Sequence, residues 1–151
     1  MKERIENLLK KTSDIINDDE INSHFLNYIC VLISGYLEKE LENIIEEYKK
    51  SKHCKSHECK DTIGSMRKIQ NAKWCSIRPV FTNIDDKILN ELKNSHQDFE
   101  LTINSIDNIV KTRHKVAHGK DVTNLTRDIL SADLNNINSF INQLKEIFNN
   151  L

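Results

Sequence analysis

Residues 99–119 read FELTINSIDNIVKTRHKVAHG. Phe99, Ile103, Ile106, Val110, Arg113 and Ala117 recur at alternating steps of four and three, the repeat that sets side chains on one face of an α-helix. The spacing predicts a helix over 97–117. It also makes Gly119 the residue that stops it, because glycine enters the left-handed conformation without steric cost. Arg113 then holds a place in an apolar stripe. A guanidinium there is costly unless it meets a carboxylate, a phosphate or a partner surface. His118 lies five positions on, about 140° round a regular helix. The two share one site only if the helix ends or bends near Ala117, or if a second copy of the chain completes the site.

The same period recurs on both sides of this stretch. Ile5, Leu8, Leu9 and Ile15 mark a helix over 1–17, and Asp18 or Asp19 offers an N-cap for the next one. Phe25, Ile29, Leu32, Tyr36, Leu37, Leu41, Ile44 and Tyr48 mark the longest helix, over 20–50. Gly35 inside it costs about 1 kcal/mol relative to alanine and suggests the close approach of another helix. Residues 51–62 read as a polar loop and 63–73 as a short helix. Pro79 argues against a helix interior over Trp74–Phe81. Asn83 or Asp85 caps a short helix through Leu92. Residues 120–130 read as a connector, and Ser131 as the N-cap of a last helix to about Asn149, with Leu134, Ile137, Ile141, Leu144 and Phe148 as its buried stripe.

Only three glycines and one proline punctuate 151 residues. A sheet protein needs more turn residues than that, so composition agrees with an all-α fold. The length suits one domain, spanning 1–151, with a sizeable core. A formal charge of −1 hides a segregation. Residues 49–80 carry nine Lys or Arg against Glu58 and Asp61, a net of +7, and residues 111–120 carry a net of +4, leaving −12 for the rest. Two basic blocks on an acidic body are what a polyanion would feel. The charged opening MKERIENLLK has no apolar signal core, and no run reaches membrane-spanning length. A cytoplasmic setting with reduced thiols is the expectation.

Arg113 and His118 suit phosphodiester chemistry. Arginine forks onto phosphate oxygens and stabilises charge that builds in a transition state; histidine takes or gives a proton near neutrality. The pair can cleave RNA by letting its own 2′-hydroxyl attack the adjacent phosphorus, without a metal or other cofactor. The competing structural reading satisfies Arg113 with an acid such as Glu38 or Glu42 and makes His118 a helix cap. Lys111, Lys115, Arg67, Lys68 and Lys73 are candidates to hold RNA backbone. His53, Cys54, His57 and Cys59 are ligand types that zinc accepts. They crowd into seven residues, however, whereas closed structural sites are normally built from two separated pairs. The basic-loop reading is therefore preferred and no metal is assigned. Trp74, between Lys73 and Arg78, can stack a base; its apolar neighbours Ile77, Val80 and Phe81 favour a core anchor instead.

These stretches resemble a known family. Arg113-His114-Lys115-Val116-Ala117-His118 follows the R–polar–x3–H motif of the HEPN superfamily. The chain looks most like the RiboL-PSP-HEPN group over YICVLISGYLEKELENIIEEY, MRKIQNAKW with IRPVF, and IDNIVKTRHKVAHG, roughly residues 20–148. The resemblance implies a HEPN-type bundle with a long antiparallel helix pair, usually a homodimer whose two motifs face each other. It implies a metal-independent endoribonuclease of a toxin–antitoxin, antiphage or stress-response kind, with an antitoxin or defence protein as a possible partner. By position, Arg113 and His118 take the catalytic places and His114 the supporting polar place, where asparagine is more usual. Some members of the superfamily bind RNA or protein without cutting, which is the alternative reading.

Overall fold

The computed structural model describes residues 1–15, 19–51, 71–95, 98–120, 122 and 124–151. These residues form six helices and no strand: α1 (Lys2–Ile15), α2 (Asp19–Ser51), α3 (Trp74–Ile84), α4 (Lys87–Ser95), α5 (Phe99–Ala117) and α6 (Arg127–Asn150). The all-α expectation holds. Arg67, Lys68 and the His53, Cys54, His57, Cys59 cluster lie outside the described residues.

α2, α5 and α6 pack against one another as the centre of the bundle; α1 lies on α2 and α6, and α4 joins α6 to α3. The predicted stripes supply the core. Ile29, Leu37, Leu41 and Ile44 of α2, Ile106 of α5, and Leu134, Ile137, Ile141 and Leu144 of α6 are buried together, joined by Ile109, which the predicted α5 stripe leaves out. Burying each such side chain contributes roughly 1.5–3 kcal/mol, and this lets helices of middling propensity persist. α5 and α6 form the long antiparallel pair. Asn136 Nδ2 donates to Ser105 Oγ at 2.9 Å, and Asn108 Nδ2 donates to Asp133 Oδ2 at 3.1 Å. Across α2 and α6, the Tyr36 hydroxyl donates to Asn138 at 3.1 Å and Lys145 pairs with Glu40 at 2.6 Å.

Three local expectations are corrected. First, Pro79 lies inside α3. Its ring is on the exposed face, with Ile77, Val80 and Phe81 turned inward. The carbonyl that loses its N–H partner belongs to Cys75, an exposed residue. Second, α6 starts at Arg127 and not after Ser131. Thr126 is the N-cap: its backbone is extended and its hydroxyl accepts from Ile129 N at 3.2 Å. Leu130 is fully buried, which draws one more turn of the predicted connector into the helix. Third, a Cβ built on Gly35 meets nothing within 4 Å, so among the described residues no helix approaches closely there.

Smaller adjustments follow the same lines. α4 runs past Leu92 to Ser95, and Asp85 Oδ1 accepts Lys87 N at 2.8 Å at its start, as one of the two predicted caps. Trp74 is a core anchor. It stands edge-on to Phe99 at 5.4 Å and to Phe140 at 6.2 Å.

Candidate functional site

The end of α5 builds the site. His118 is the C-cap of the helix, with φ −98° and ψ 14°. Gly119 takes φ +63°, its N–H donates to Val116 O at 3.1 Å, and the Lys120 N–H donates to Lys115 O at 3.0 Å. This pair of bonds is a Schellman stop. It needs glycine at position 119, since a side chain there would be strained. The helix therefore ends where the sequence placed its end.

With the helix stopped there, His118 comes back over the turn that carries His114. The two imidazoles lie edge to face, with centroids 4.3 Å apart and an interplanar angle of 63°. Both are exposed, as are Lys111 and Lys115. His114 is held below the ordinary histidine value, first by the charge of His118, then by desolvation, Lys73, Lys120 and Arg113. A proton is thus harder to place on His114, and its neutral form, one nitrogen donating and one accepting, is favoured. Lys73 arrives from the start of α3 and is brought into this cluster.

Arg113 sits where the apolar stripe runs out. Ile106, Ile109 and Val110 are buried, Arg113 is half-buried and Ala117 is exposed. Its Nη1 donates to Asn71 Oδ1 at 3.1 Å. Glu38 of α2, one of the two acids anticipated, lies within the influence of its charge. Burial raises the Glu38 pKa, while the Arg113 guanidinium and the Ala72 backbone N–H oppose that rise. The guanidinium thus finds a polar partner, Asn71, within its own chain. Among the described residues, no hydrogen bond joins Arg113 to His118. Beneath Arg113, the buried Cys30 thiol donates to Ile109 O at 3.6 Å. Burial, helped by Asp133, pushes its pKa up to about 12, so it is an inert part of the core.

Sequence reasoning missed Asn71 and Asp107. Asp107 Oδ1 accepts the Trp74 N–H at 2.9 Å, capping α3 from α5. It thereby fixes the residues just before α3 against the Arg113 turn. Asn71, Lys73 and Trp74 all stand in the quoted stretch MRKIQNAKW, but nothing local showed that it folds back onto α5. Among the described residues, no group of three or more His, Cys, Asp or Glu is placed to hold a metal ion.

A helical bundle with an arginine and two histidines gathered at one helix end defines a recognisable class. The family model for RiboL-PSP-HEPN matches residues 2–150, and the chain belongs to that family, one of the HEPN domain families. HEPN families make up a superfamily of nucleases and RNA-binding domains. Comparison with curated proteins and with solved structures found no match. No helix among the described residues is long and apolar enough to cross a membrane.

Proposed function

We propose that the protein is a metal-independent endoribonuclease acting at the Arg113–His114–His118 cluster, in a homodimer where two such clusters meet. The carrying observation is the cluster itself, in a chain that belongs to a HEPN family: a half-buried guanidinium and two exposed imidazoles at one helix terminus, ringed by Lys73, Lys111, Lys115 and Lys120. The RNA 2′-oxygen attacks the adjacent phosphorus, the bond to the 5′-oxygen breaks, and the products are a 2′,3′-cyclic phosphate and a 5′-hydroxyl. His118 moves the proton, from the 2′-oxygen or to the leaving 5′-oxygen. Arg113 stabilises charge on the non-bridging oxygens. His114 polarises or positions, and the lysines hold the flanking backbone. The setting is cytoplasmic, of toxin–antitoxin, antiphage or stress-response type, with an antitoxin or defence protein as a further partner.

His118→Ala should lower cleavage of a structured RNA by about 100-fold or more in EDTA, the lower end for losing a general acid or base, and leave the dimer intact. Cleavage that survives the substitution, or that requires a divalent metal, defeats the mechanism. One observation favours a second reading, a module that holds RNA or protein without cutting it: Arg113 is already engaged by Asn71. Tight RNA binding by wild-type protein with no cyclic-phosphate ends would select that reading.

A further inference from the structure

His114 and His118 form a pair whose chemistry proton transfer does not exhaust. They stand four residues apart, and the His118 N–H still donates to His114 O at 3.2 Å. The stop at Gly119 therefore leaves His118 in helical register, one turn above His114. Their ring centroids are 4.3 Å apart, and both side chains are open to solvent. Two histidines at this spacing on one helix face are the chelating half of the zinc sites that helices build. A tetrahedral zinc ion, at about 2.0–2.1 Å from each ring nitrogen, holds the two nitrogens roughly 3.3 Å apart. Rings whose centroids are already 4.3 Å apart reach that separation by rotating about their own side-chain bonds.

The surroundings set which ion the pair can take. Among the described residues, no third His, Cys, Asp or Glu is placed to complete the site. Magnesium and calcium want oxygen ligands, and this pair offers none; imidazole suits zinc. Lys111, Lys115 and Lys120 oppose a dication, but all three are exposed, so salt and water screen them. The negative end of α5, where His118 caps the helix, works in the ion's favour. With two protein ligands the remaining positions fall to water, and the ion is held reversibly.

We propose that His114 and His118 together chelate zinc, and that the bound ion switches the site off. Coordination occupies the ring-nitrogen lone pair with which His118 accepts a proton. A nuclease that needs no metal would then be inhibited by one, and a chelator would restore it. The inhibitory half of this inference rests on the nuclease reading; the chelation does not.

The first readout is the imidazole signals of His114 and His118 in NMR, titrated with zinc chloride, which requires no turnover. Both should move together, return on adding EDTA, and ignore magnesium chloride. His114→Asn keeps a polar side chain and removes one ligand. In that variant the zinc concentration needed to move His118 should rise by at least about 10- to 100-fold, the loss that follows even from removing a ligand's supporting partner. His24→Ala, at an exposed histidine of α2 beside Glu20, is the control and should change nothing. The second readout is cleavage. Zinc should inhibit the wild type over the range in which the two signals move, and His114→Asn, measured against its own zinc-free rate, should need the same multiple more. Signals that ignore zinc in molar excess overturn the proposal, as does a His118 response that is the same in His114→Asn. Zinc that occupies the pair yet leaves cleavage undiminished, or speeds it, overturns the inhibition. If the wild type cuts no RNA but the pair still takes zinc, the nuclease reading fails and the metal site stands.

Discussion

The imidazoles of His114 and His118 stand 4.3 Å apart, centroid to centroid, at the end of α5. At that separation a proton on one ring works against a proton on the other. His118 is the largest influence holding His114 down. His118→Ala should therefore raise the pKa of His114 toward the ordinary histidine value. Lys73→Ala should do the same to a smaller extent, Lys73 being a lesser cause. Imidazole shifts followed against pH by NMR would test the order. A His114 titration unmoved by His118→Ala would show that the rings do not couple in solution.

Trp74 and Lys73 are neighbours with opposite assignments. Trp74 packs on Phe99 and Phe140, so Trp74→Ala should cost about 3 kcal/mol of stability, the lower end for a ring that is only half-buried. Lys73→Ala should leave stability almost untouched. Instead it should weaken RNA binding and reduce the slope of log affinity against log salt by about one. Denaturant melts and a salt series of binding curves separate the two. A Trp74→Ala protein that is fully stable but has lost RNA would return the ring to the base-stacking role.

Gly35 faces open space in the middle of α2. Gly35→Ala meets no steric obstacle and should stabilise the chain by about 0.8–1 kcal/mol through helix propensity alone, a rise in Tm of roughly 2–4 °C. A fall in Tm would mean that something covers this face in solution.

Asp133 is a buried carboxylate with Asn108 and Ser105 as hydrogen-bond partners. Burial raises its pKa above the ordinary carboxylate value against the pull of those bonds. The folded chain therefore holds the Asp133 proton more tightly than the unfolded chain does. Stability falls as pH climbs from the ordinary carboxylate range through the raised value. Below that window both states carry the proton and the loss disappears. Asp133→Asn cannot ionise, so its stability relative to wild type should improve as pH rises through the window. Urea melts from about pH 3 to pH 7 would show it. A difference between variant and wild type that is flat in pH rules the account out.

Which features were legible in the sequence follows the range of the interactions behind them. The period of α2, α5 and α6 is local, and so is the stop at Gly119; both read correctly. The sequence reading offers only Ser131 as the cap of α6; burial of Leu130 against the rest of the core carries the helix back to Thr126. The hydrogen bond that Pro79 removes is least costly where the freed carbonyl belongs to an exposed residue, and the exposure of Cys75 is set by tertiary structure. Arg113 was marked as a charge in need of a partner. Its hydrogen-bonding partner lies 42 residues away, beyond the reach of any local pattern. The resemblance to the family supplied the grouping of Arg113, His114 and His118, whereas Asn71, Asp107 and the environment of Glu38 required coordinates.

The stop at Gly119 also makes the motif a ruler. Position along α5 is counted back from a backbone feature, so each residue inserted or deleted between Arg113 and His118 would swing one of them by about 100° relative to the other. The stop itself asks little of the side chains inside that interval: Lys115 lends it only its carbonyl, which every amino acid has. Composition at Val116 and Ala117 can drift, while His114 and the length of the interval that the glycine closes are held.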